Sequence, residues 1–302
     1  MFSKIHQAAQ QIGEVLVGKH LQIRQALACV LAGGHLLIED VPGVGKTTLA
    51  HALAISLGLQ WKRQQFTSDL LPADVAGMSV YDRGSGSFIF HPGPLFTQVL
   101  LADEINRATP KTQSGLLEAM EERQVTLDGV THALPQPFFV IATQNCAHQL
   151  GTFPLPESQL DRFLMCVTLG YPDAAAEREL LLGADRRAML QTLPAVMNAE
   201  ELLQAQAGLR AIHASAAVVD YVLALVHATR VPGVFADGLS PRAALALLQA
   251  ARAWAALAGR DHVTPDDVQA IVVPVCAHRL HAAQGSTDSR TLLQQLLLAT
   301  PV

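Results

Sequence analysis

The stretch "LLIEDVPGVGKTT" (residues 36–48) decides the fold. A short apolar run ends at a glycine turn, and helical spacing resumes at Lys46, so we predict a strand, a loop and a helix in that order. The letters resemble a phosphate-binding loop, whose usual pattern is G-x-x-x-x-G-K-[ST]. Asp40 stands where that pattern has its first glycine. The alternative is an ordinary strand–turn–helix with an exposed lysine, but the strand-to-helix setting favours a phosphate site.

The loop carries groups that hold a phosphate. Its glycines let successive backbone N–H groups face an anion, and the helix from Lys46 adds its positive N-terminal end. Lys46 is predicted to reach the β- and γ-phosphates and Thr47 to bind Mg²⁺. We expect the Asp40 carboxylate to point away from the phosphates and to accept bonds from nearby donors. The predicted nucleotide contacts along the loop are Pro42, Gly43, Val44, Gly45, Lys46, Thr47 and Thr48.

A pair of acids ends a second apolar run, "VLLADE" (99–104). A buried strand that ends at Asp103 would hold its carboxylate beside the phosphate loop, where it can bind Mg²⁺ through water. Glu104, one residue further, can act as the general base that polarises an attacking water. An apolar run ending in two acids is often only a solvated strand end. In an α/β pattern that contains a phosphate loop, it predicts metal-assisted phosphoryl transfer.

Composition bounds the class of protein. The chain has 302 residues, of which 50% are hydrophobic and 16% charged, which is enough for two domains and argues against disorder. A net charge of −5 without a Lys/Arg run gives no support for a dominant nucleic-acid partner. The cysteines are dispersed, which favours reduced thiols, and no apolar run is long enough to span a membrane. We therefore expect a cytoplasmic protein. The cysteines are Cys29, Cys146, Cys166 and Cys276.

Strand and helix patterns divide the chain at residue 173. Apolar runs at 35–39, 61–66, 98–103, 137–142 and 164–168 alternate with helical segments, which predicts a parallel sheet covered on both faces. Residues 78–90 and 124–134 interrupt this alternation with hairpin signals. Ser240-Pro241 and Thr264-Pro265 are typical helix starts, and no strand is predicted after residue 173. We expect an α/β domain over 1–173, including the N-terminal helices, and an all-α lid over 174–302.

The motifs in this order resemble those of AAA+ ATPases, and within them the MoxR group. The loop "VPGVGKT" (41–47) is similar to the AAA+ phosphate loop, and Asp40 at its entrance is a variation that MoxR-like proteins share. The segments at 103–129, 138–145 and 155–163, "DEINRATPKTQSGLLEAMEERQVTLDG", "FFVIATQN" and "LPESQLDRF", look like MoxR signatures. The resemblance implies an AAA+ P-loop sheet core with two β-hairpin insertions, followed by an all-α lid. The family usually continues "ATQNP", whereas Cys146 follows Asn145 here.

The resemblance also assigns roles to single residues. Asn145 matches sensor 1, which positions the lytic water, and Arg162 matches the arginine finger that a neighbouring subunit supplies; a salt bridge of Arg162 with Asp161 or Glu157 is the structural alternative. Arg242 matches sensor 2. It lies in the first turn of a helix, where a cation is unfavourable, so we expect an anion beside it, such as nucleotide phosphate from its own or an adjacent subunit.

Two further assignments follow from the same resemblance. Val17 and Gly18, in "LVGK" (16–19), resemble the segment that forms part of the adenine pocket, although a helix-breaking glycine would explain the same letters. Arg107 is a second candidate for the subunit interface.

The family implies a Mg²⁺-dependent ATP hydrolase that binds ATP and ADP and assembles into a ring, most simply a hexamer. Such a ring would mature or remodel a partner protein, plausibly one with a von Willebrand factor A domain encoded separately. A nucleic-acid-associated AAA+ motor and a magnesium-chelatase-type motor subunit are the alternatives. The acidic tip of the second hairpin, Leu127-Asp128-Gly129, argues against nucleic acid.

Overall fold

The computed structural model describes residues 2–145, 151–183, 185–283 and 288–301. Cys146 lies outside these residues, so the turn after Asn145 is not described. The other three cysteines, Cys29, Cys166 and Cys276, are buried thiols. None of the described helices is both long enough and apolar enough to cross a membrane.

The predicted parallel sheet is present. Its strand order is β2-β5-β8-β1-β9, and every neighbouring pair in it is parallel. Strands β5, β8, β1 and β9 are buried almost along their whole length, as expected of a sheet covered by helices on both faces. The strands in chain order are β1 (His35–Glu39), β2 (Trp61–Gln65), β3 (Gly77–Asp82), β4 (Ser87–Pro92), β5 (Val99–Asp103), β6 (Gln124–Leu127), β7 (Val130–Ala133), β8 (Phe139–Gln144) and β9 (Phe163–Val167).

Both predicted hairpins stand outside the main sheet. Strands β3 and β4 pair in one antiparallel ribbon, and β6 and β7 pair in another. Asp128 and Gly129 both have positive φ, of 50° and 78°, as a two-residue hairpin turn requires. The first ribbon exposes several large apolar side chains, among them Tyr81, Phe88 and Ile89.

Among the described residues, helices alone follow β9. Ser240 caps one of them by accepting a hydrogen bond from the N–H of Ala243, and the Asp267 carboxylate accepts from the N–H and hydroxyl of Thr264 at the start of another. The α-helices are α1 (Phe2–Val15), α2 (His20–Leu31), α3 (Lys46–Ser56), α4 (Pro72–Ala76), α5 (Pro110–Glu122), α6 (Glu157–Leu160), α7 (Ala174–Leu182), α8 (Arg186–Thr192), α9 (Ala199–Gly208), α10 (Ala216–Thr229), α11 (Pro241–Leu257), α12 (Pro265–Cys276) and α13 (Ser289–Ala299).

The helical region shares a core with the sheet. Helices α1, α2 and α3 pack in one apolar cluster with β1, β9 and the helices from α9 to α13. The other face of the sheet packs against α5 and the base of the first ribbon in a second cluster. The resulting architecture is the predicted one: a parallel α/β core with two hairpin insertions, followed by helices. The boundary at residue 173 stays a prediction.

Candidate active site

The phosphate loop joins the carboxyl end of β1 to the start of α3. Gly43 and Gly45 have φ values of 87° and 100°, a conformation in which a side chain is strained. A Cβ atom on Gly45 would also lie 2.7 Å from Leu16 Cδ1. Lys46 is 8% exposed, and its Nζ donates to the backbone oxygen of Asp40 at 2.9 Å and to Asn145 Oδ1 at 3.2 Å. The ammonium group is therefore held across the mouth of the loop.

Asp40 is turned away from the loop, as predicted. Its Oδ1 accepts from the N–H of Val41 at 2.8 Å, and its Oδ2 accepts from the N–H of Gly170 at 2.6 Å. The side chain is 4% exposed, so these two donors satisfy a buried carboxylate. Asp40 thus fixes the entrance of the phosphate loop to the connection between β9 and α7.

The two acids lie at the end of β5, beside the loop. Asp103 Oδ1 accepts from the Thr143 hydroxyl at 2.6 Å, and the Thr143 hydroxyl in turn accepts from the N–H of Glu104 at 2.9 Å. Glu104 has φ 55° and ψ 50°, a left-handed conformation that costs a non-glycine residue about 1 kcal/mol. Thr143 thus links the two acids, because its hydroxyl binds the carboxylate of Asp103 and the backbone N–H of Glu104.

Both oxygens of Glu104 have partners. Asn145 Nδ2 donates to Oε1 at 3.1 Å, whereas Gln65 Nε2 at 2.9 Å and Arg107 Nε at 2.8 Å approach Oε2. Asn145 therefore bridges Lys46 and Glu104, the two groups between which a terminal phosphate and its attacking water would lie. Arg107, an interface candidate in the sequence, contacts the acid of its own chain.

Strand β2 contributes two site residues that the sequence did not reveal. Arg63 Nη2 and Nε both donate to Asp103 Oδ2, at 2.6 and 3.2 Å, and Gln65 binds Glu104. The two residues are two positions apart, so they share a face of the strand, and the parallel register sets Gln65 beside Asp103. The available signal was a run of four polar residues, Lys62 to Gln65, in the strand beside the acid strand.

These groups line a cavity of about 360 Å³. Its walls include most of the predicted loop residues, both acids, Asn145, Arg63 and Gln65. A second cavity, of about 210 Å³, adjoins it through Gly43, Gly45 and Thr48, and Val17 and Val44 line that one. Gly18 does not line it; its φ is 72°, and a Cβ there would lie 2.8 Å from the Cβ of Ala176. A larger apolar cavity, of about 650 Å³ between α1, α2 and the end of α11, contains none of the predicted residues.

Arg162 and Arg242 lie at the opposite end of the sheet from the phosphate loop. Arg162 immediately precedes β9, whose first residue pairs with His35 at the start of β1, whereas the loop follows the end of β1. The five residues of β1 span about 16 Å, so neither arginine lies at the phosphate loop of its own chain. Both line a separate cavity of about 230 Å³ that Gly33 and Gly34 also border.

One carboxylate holds the two arginines together. Glu121, near the end of α5, lies 3.1 Å from Arg162 Nη2 and 3.2 Å from Arg242 Nη1. Asp161 Oδ2 is a further partner of Arg242, at 3.7 Å. The structural alternative for Arg162, a salt bridge with Asp161 or Glu157, is thus met by a different acid, because α5 brings Glu121 within reach. The anions beside Arg242 are likewise carboxylates of the same chain, and its contact with a nucleotide phosphate stays a prediction.

A buried arginine, Arg279, binds the segment that carries this cluster. Its guanidinium is 6% exposed, and Nε donates to Asp161 Oδ1 at 2.6 Å. Nη2 donates to the backbone oxygens of Asp161 and Phe163, and Nη1 to those of Leu164 and Val275. The donors of this buried cation are thus satisfied, and it ties the end of α12 to the segment that carries Arg162. No local pattern marks this pair, because Asp161 and Arg279 are 118 residues apart.

His35 lies under the same cluster. Its Nδ1 accepts from the N–H of Val140 at 3.0 Å, which leaves the proton on Nε2 to donate to the backbone oxygen of Met120 at 3.1 Å. Burial lowers the pKa of His35 to about 4, so the ring is neutral at pH 7.

Comparison with known proteins adds family information. Residues 35–165 match the model of the ATPase family associated with various cellular activities (AAA), and residues 227–296 match an AAA lid domain. The uncharacterized protein YeaC of Bacillus subtilis is 46% identical over 90% of this chain and 85% of its own length. The chaperone MoxR1 of Mycobacterium tuberculosis is 39% identical over 91% of this chain and 75% of its own. The crystal structure of a putative ATPase from Cytophaga hutchinsonii matches with a TM-score of 0.89 and 34% identity, over 100% of this chain and 95% of that one.

Proposed function

The chain belongs to the MoxR family of AAA+ ATPases, and from this premise we propose that it hydrolyses ATP with Mg²⁺ at the phosphate loop, using Glu104 as the general base. The observation that carries the proposal is the hydrogen-bonded series from Lys46 through Asn145 to Glu104, beside Asp103, in a single cavity of about 360 Å³. These are the groups that phosphoryl transfer to water requires.

The residues at this edge of the sheet fit a metal-bound nucleotide. The positive-φ glycines open the loop backbone toward an anion, and the Thr47 hydroxyl and the Asp103 carboxylate offer the oxygen ligands that Mg²⁺ prefers. When bound, Mg²⁺ would neutralise charge that develops on the phosphate oxygens. We assign Pro42, Val44 and Thr48 to the walls that contact the nucleotide, and Val17 to the base side, where the second cavity adjoins the loop. Gly18 then acts through its positive φ, which sets the course of the segment that carries Val17.

Glu104 and Asn145 supply the hydrolytic chemistry in this proposal. Glu104 takes a proton from water while the water oxygen bonds to the γ-phosphorus and the bond to ADP breaks. Asn145 contacts both Glu104 and Lys46, so its amide can hold the water between base and phosphate. The left-handed backbone of Glu104 supports this role, because strained residues of this kind are typical of functional sites.

The position of the two arginines leads us to propose that the protein assembles into a ring. Arg162 and Arg242 are exposed by about a quarter and a half, respectively, and lie at the sheet edge opposite the phosphate loop. We propose that both reach the nucleotide of a neighbouring subunit, where they stabilise the charge that develops on the γ-phosphate. A head-to-tail contact of this kind closes into a ring, and a hexamer is the size we propose.

The work of the ring is proposed from its relatives. One of them is named a chaperone, which supports a role in maturing or remodelling another protein. We propose a separately encoded partner, plausibly with a von Willebrand factor A domain, and a cytoplasmic location for both. The exposed apolar ribbon formed by β3 and β4 is a surface on which such a partner could act.

The proposal is tested by measuring ATP binding, hydrolysis and mass in solution together. Wild-type protein should bind ATP, release phosphate only with Mg²⁺ present, and form a larger species when ATP is added. Lys46→Ala should weaken ATP binding itself, because it removes the buried cation of the loop. Glu104→Gln held in ATP should retain partner protein on an affinity resin, whereas Lys46→Ala should not. Wild-type protein that binds ATP but never hydrolyses it, alone or with partner, would contradict the proposal.

A further inference from the structure

Arg63 makes an unusual contact for a residue beside a predicted metal ligand. Its Nη2 and Nε both donate to the same oxygen of Asp103, Oδ2, at 2.6 and 3.2 Å. The arginine side chain is about half exposed, whereas that of Asp103 is 11% exposed. Arg63 also lines the cavity that Lys46 and Thr47 line. The Arg63 guanidinium therefore contacts the Asp103 carboxylate, which is the group assigned to Mg²⁺. It faces solvent on one side and the nucleotide cavity on the other.

The hydrogen bonds of Asp103 leave little room for a second cation. Each carboxylate oxygen offers about two lone-pair sites. On Oδ1, one is used by the Thr143 hydroxyl, and on Oδ2 both are used by Arg63. A divalent ion, or a water bound to it, would compete with the guanidinium for Oδ2, and like charges would repel one another at this distance.

A phosphate group is the natural second partner for this guanidinium. Arginine presents its N–H groups in a planar fork that matches two phosphate oxygens, and its charge is retained at any physiological pH. Strand β2 is at the edge of the sheet, and Arg63 pairs in register with Leu101, two residues before Asp103. The long side chain therefore starts from a fixed strand and ends in the cavity that Asp103 and the phosphate loop also line.

We propose that Arg63 is a further nucleotide-binding residue, which leaves Asp103 for the terminal phosphates of the nucleotide and competes with Mg²⁺ for Asp103. The inference rests on the proposed ATPase function, and deepens it. Arg63 then has two measurable effects of opposite sign. It strengthens nucleotide binding without metal, and it raises the Mg²⁺ concentration needed to fill the site.

The test is a fluorescent ATP analogue titrated with Arg63→Ala in EDTA, followed by Mg²⁺ titration at saturating analogue. We expect the dissociation constant in EDTA to rise about tenfold, since a charge-assisted phosphate contact is lost. We expect the half-saturating Mg²⁺ concentration to fall by about threefold or more, because the positive charge beside the metal is gone, whether the guanidinium lies on Asp103 or on the phosphates. Arg63→Lys, which keeps the charge, should recover most of the affinity in EDTA.

Lys62→Ala is the matched control. Lys62 is the preceding residue of β2, an exposed cation whose Nζ lies 3.4 Å from the backbone oxygen of Gly93, and it points to the other face of the strand. It should leave both constants unchanged. A residue that only braced Asp103 would weaken nucleotide and Mg²⁺ binding together, and that result for Arg63→Ala would overturn the inference. Unchanged constants in Arg63→Ala would overturn it as well. Wild-type protein that binds no nucleotide at all would overturn the proposed function, and the inference with it.

Discussion

The two ends of the parallel sheet hold different kinds of charged groups. At the carboxyl end, which we call the phosphate edge, Lys46, Asp103, Glu104 and Asn145 are joined by hydrogen bonds into a set that faces one cavity. At the amino end, the arginine edge, Arg162 and Arg242 pair with carboxylates of the described part of the chain, chiefly Glu121.

The two edges therefore supply different parts of the proposed active site. We propose that the phosphate edge binds the nucleotide and activates water, and that the finger comes from elsewhere, because the arginines described there, Arg63 and Arg107, pair with Asp103 and Glu104. The arginine edge has two exposed cations. It lies about 16 Å of strand away from the phosphate loop, too far for them to contact a phosphate bound at the loop of the same chain. In the proposed ring, each chain therefore supplies half of two sites, and a neighbour completes each of them. Substitutions at the two edges should therefore differ in their effects on hydrolysis, ATP binding and stability.

The largest effect should come from Glu104→Gln at the phosphate edge. The amide keeps the size of the side chain but cannot take a proton, so hydrolysis should fall by about 10³-fold. ATP binding should persist, because Glu104 holds the water and not the nucleotide. Single-turnover phosphate release and equilibrium ATP binding, measured on one preparation, check this. Normal turnover would remove Glu104 from the role of base.

At the arginine edge, Arg162→Ala should cut hydrolysis by about 10²-fold or more while ATP affinity stays near that of the wild type. The reason is that the finger acts on charge that develops in the transition state. Arg242→Ala should act in the same direction. Arg210→Ala, which removes another exposed arginine, is the control and should have no effect. Loss of ATP binding by isolated Arg162→Ala subunits would place Arg162 in the nucleotide site of its own chain and would contradict the division between the two edges.

Arg279→Met should affect the fold more than the chemistry. The change leaves Asp161 without its buried partner and several backbone oxygens without donors, which should cost about 3 kcal/mol or more in free energy of unfolding. Chemical denaturation measures the loss. Arg242→Met, at an exposed pair with the same Asp161, should cost less than about 1 kcal/mol. Equal costs would mean that Arg279 does not anchor the arginine edge.

The smallest effect is a dependence of stability on pH that His35 contributes. Its pKa is about 4 in the folded chain and near 6.5 unfolded, so between these values the unfolded chain binds more protons. The free energy of unfolding should therefore fall as pH drops from 7 toward 4, by at most about 3 kcal/mol from this residue, and no further below pH 4. His278, whose pKa burial also lowers, adds in the same direction.

Denaturation midpoints at pH 7 and pH 5 check the contribution of His35. His35→Gln, whose amide can both accept from Val140 and donate to Met120, should flatten the dependence in part. His6→Gln, at an exposed position on α1, should leave it unchanged. A His35→Gln protein with the full wild-type slope would show that the neutral ring under the arginine edge does not contribute.

Local patterns predicted the fold and the phosphate edge well. The strand, loop and caps around Lys46, Ser240 and Thr264 are set by neighbours in sequence, so their letters could be interpreted directly. Asp40, which departs from the strict loop pattern, has a structural role, because its carboxylate accepts hydrogen bonds from the N–H groups of Val41 and Gly170.

Long-range partners could not be predicted. Glu121 reads as a surface acid on an amphipathic helix, and only the packing of α5 against the start of β9 makes it the partner of two arginines. Arg63 and Gln65 read as polar residues of an edge strand, and they enter the site through the register of β2 with β5. In each case the pairing is decided by tertiary structure and leaves no local signal.

The central claim is that one active site takes Glu104 from one chain and Arg162 from the next. Mixing inactive Glu104→Gln with inactive Arg162→Ala subunits in equal amounts tests it, with subunit exchange followed by a fluorescent label. The account predicts that ATPase activity returns, to about a quarter of the wild-type rate per site if sites are independent, since about one contact in four then joins an intact Glu104 to an intact Arg162. Mixed rings that exchange fully and stay inactive would contradict the account.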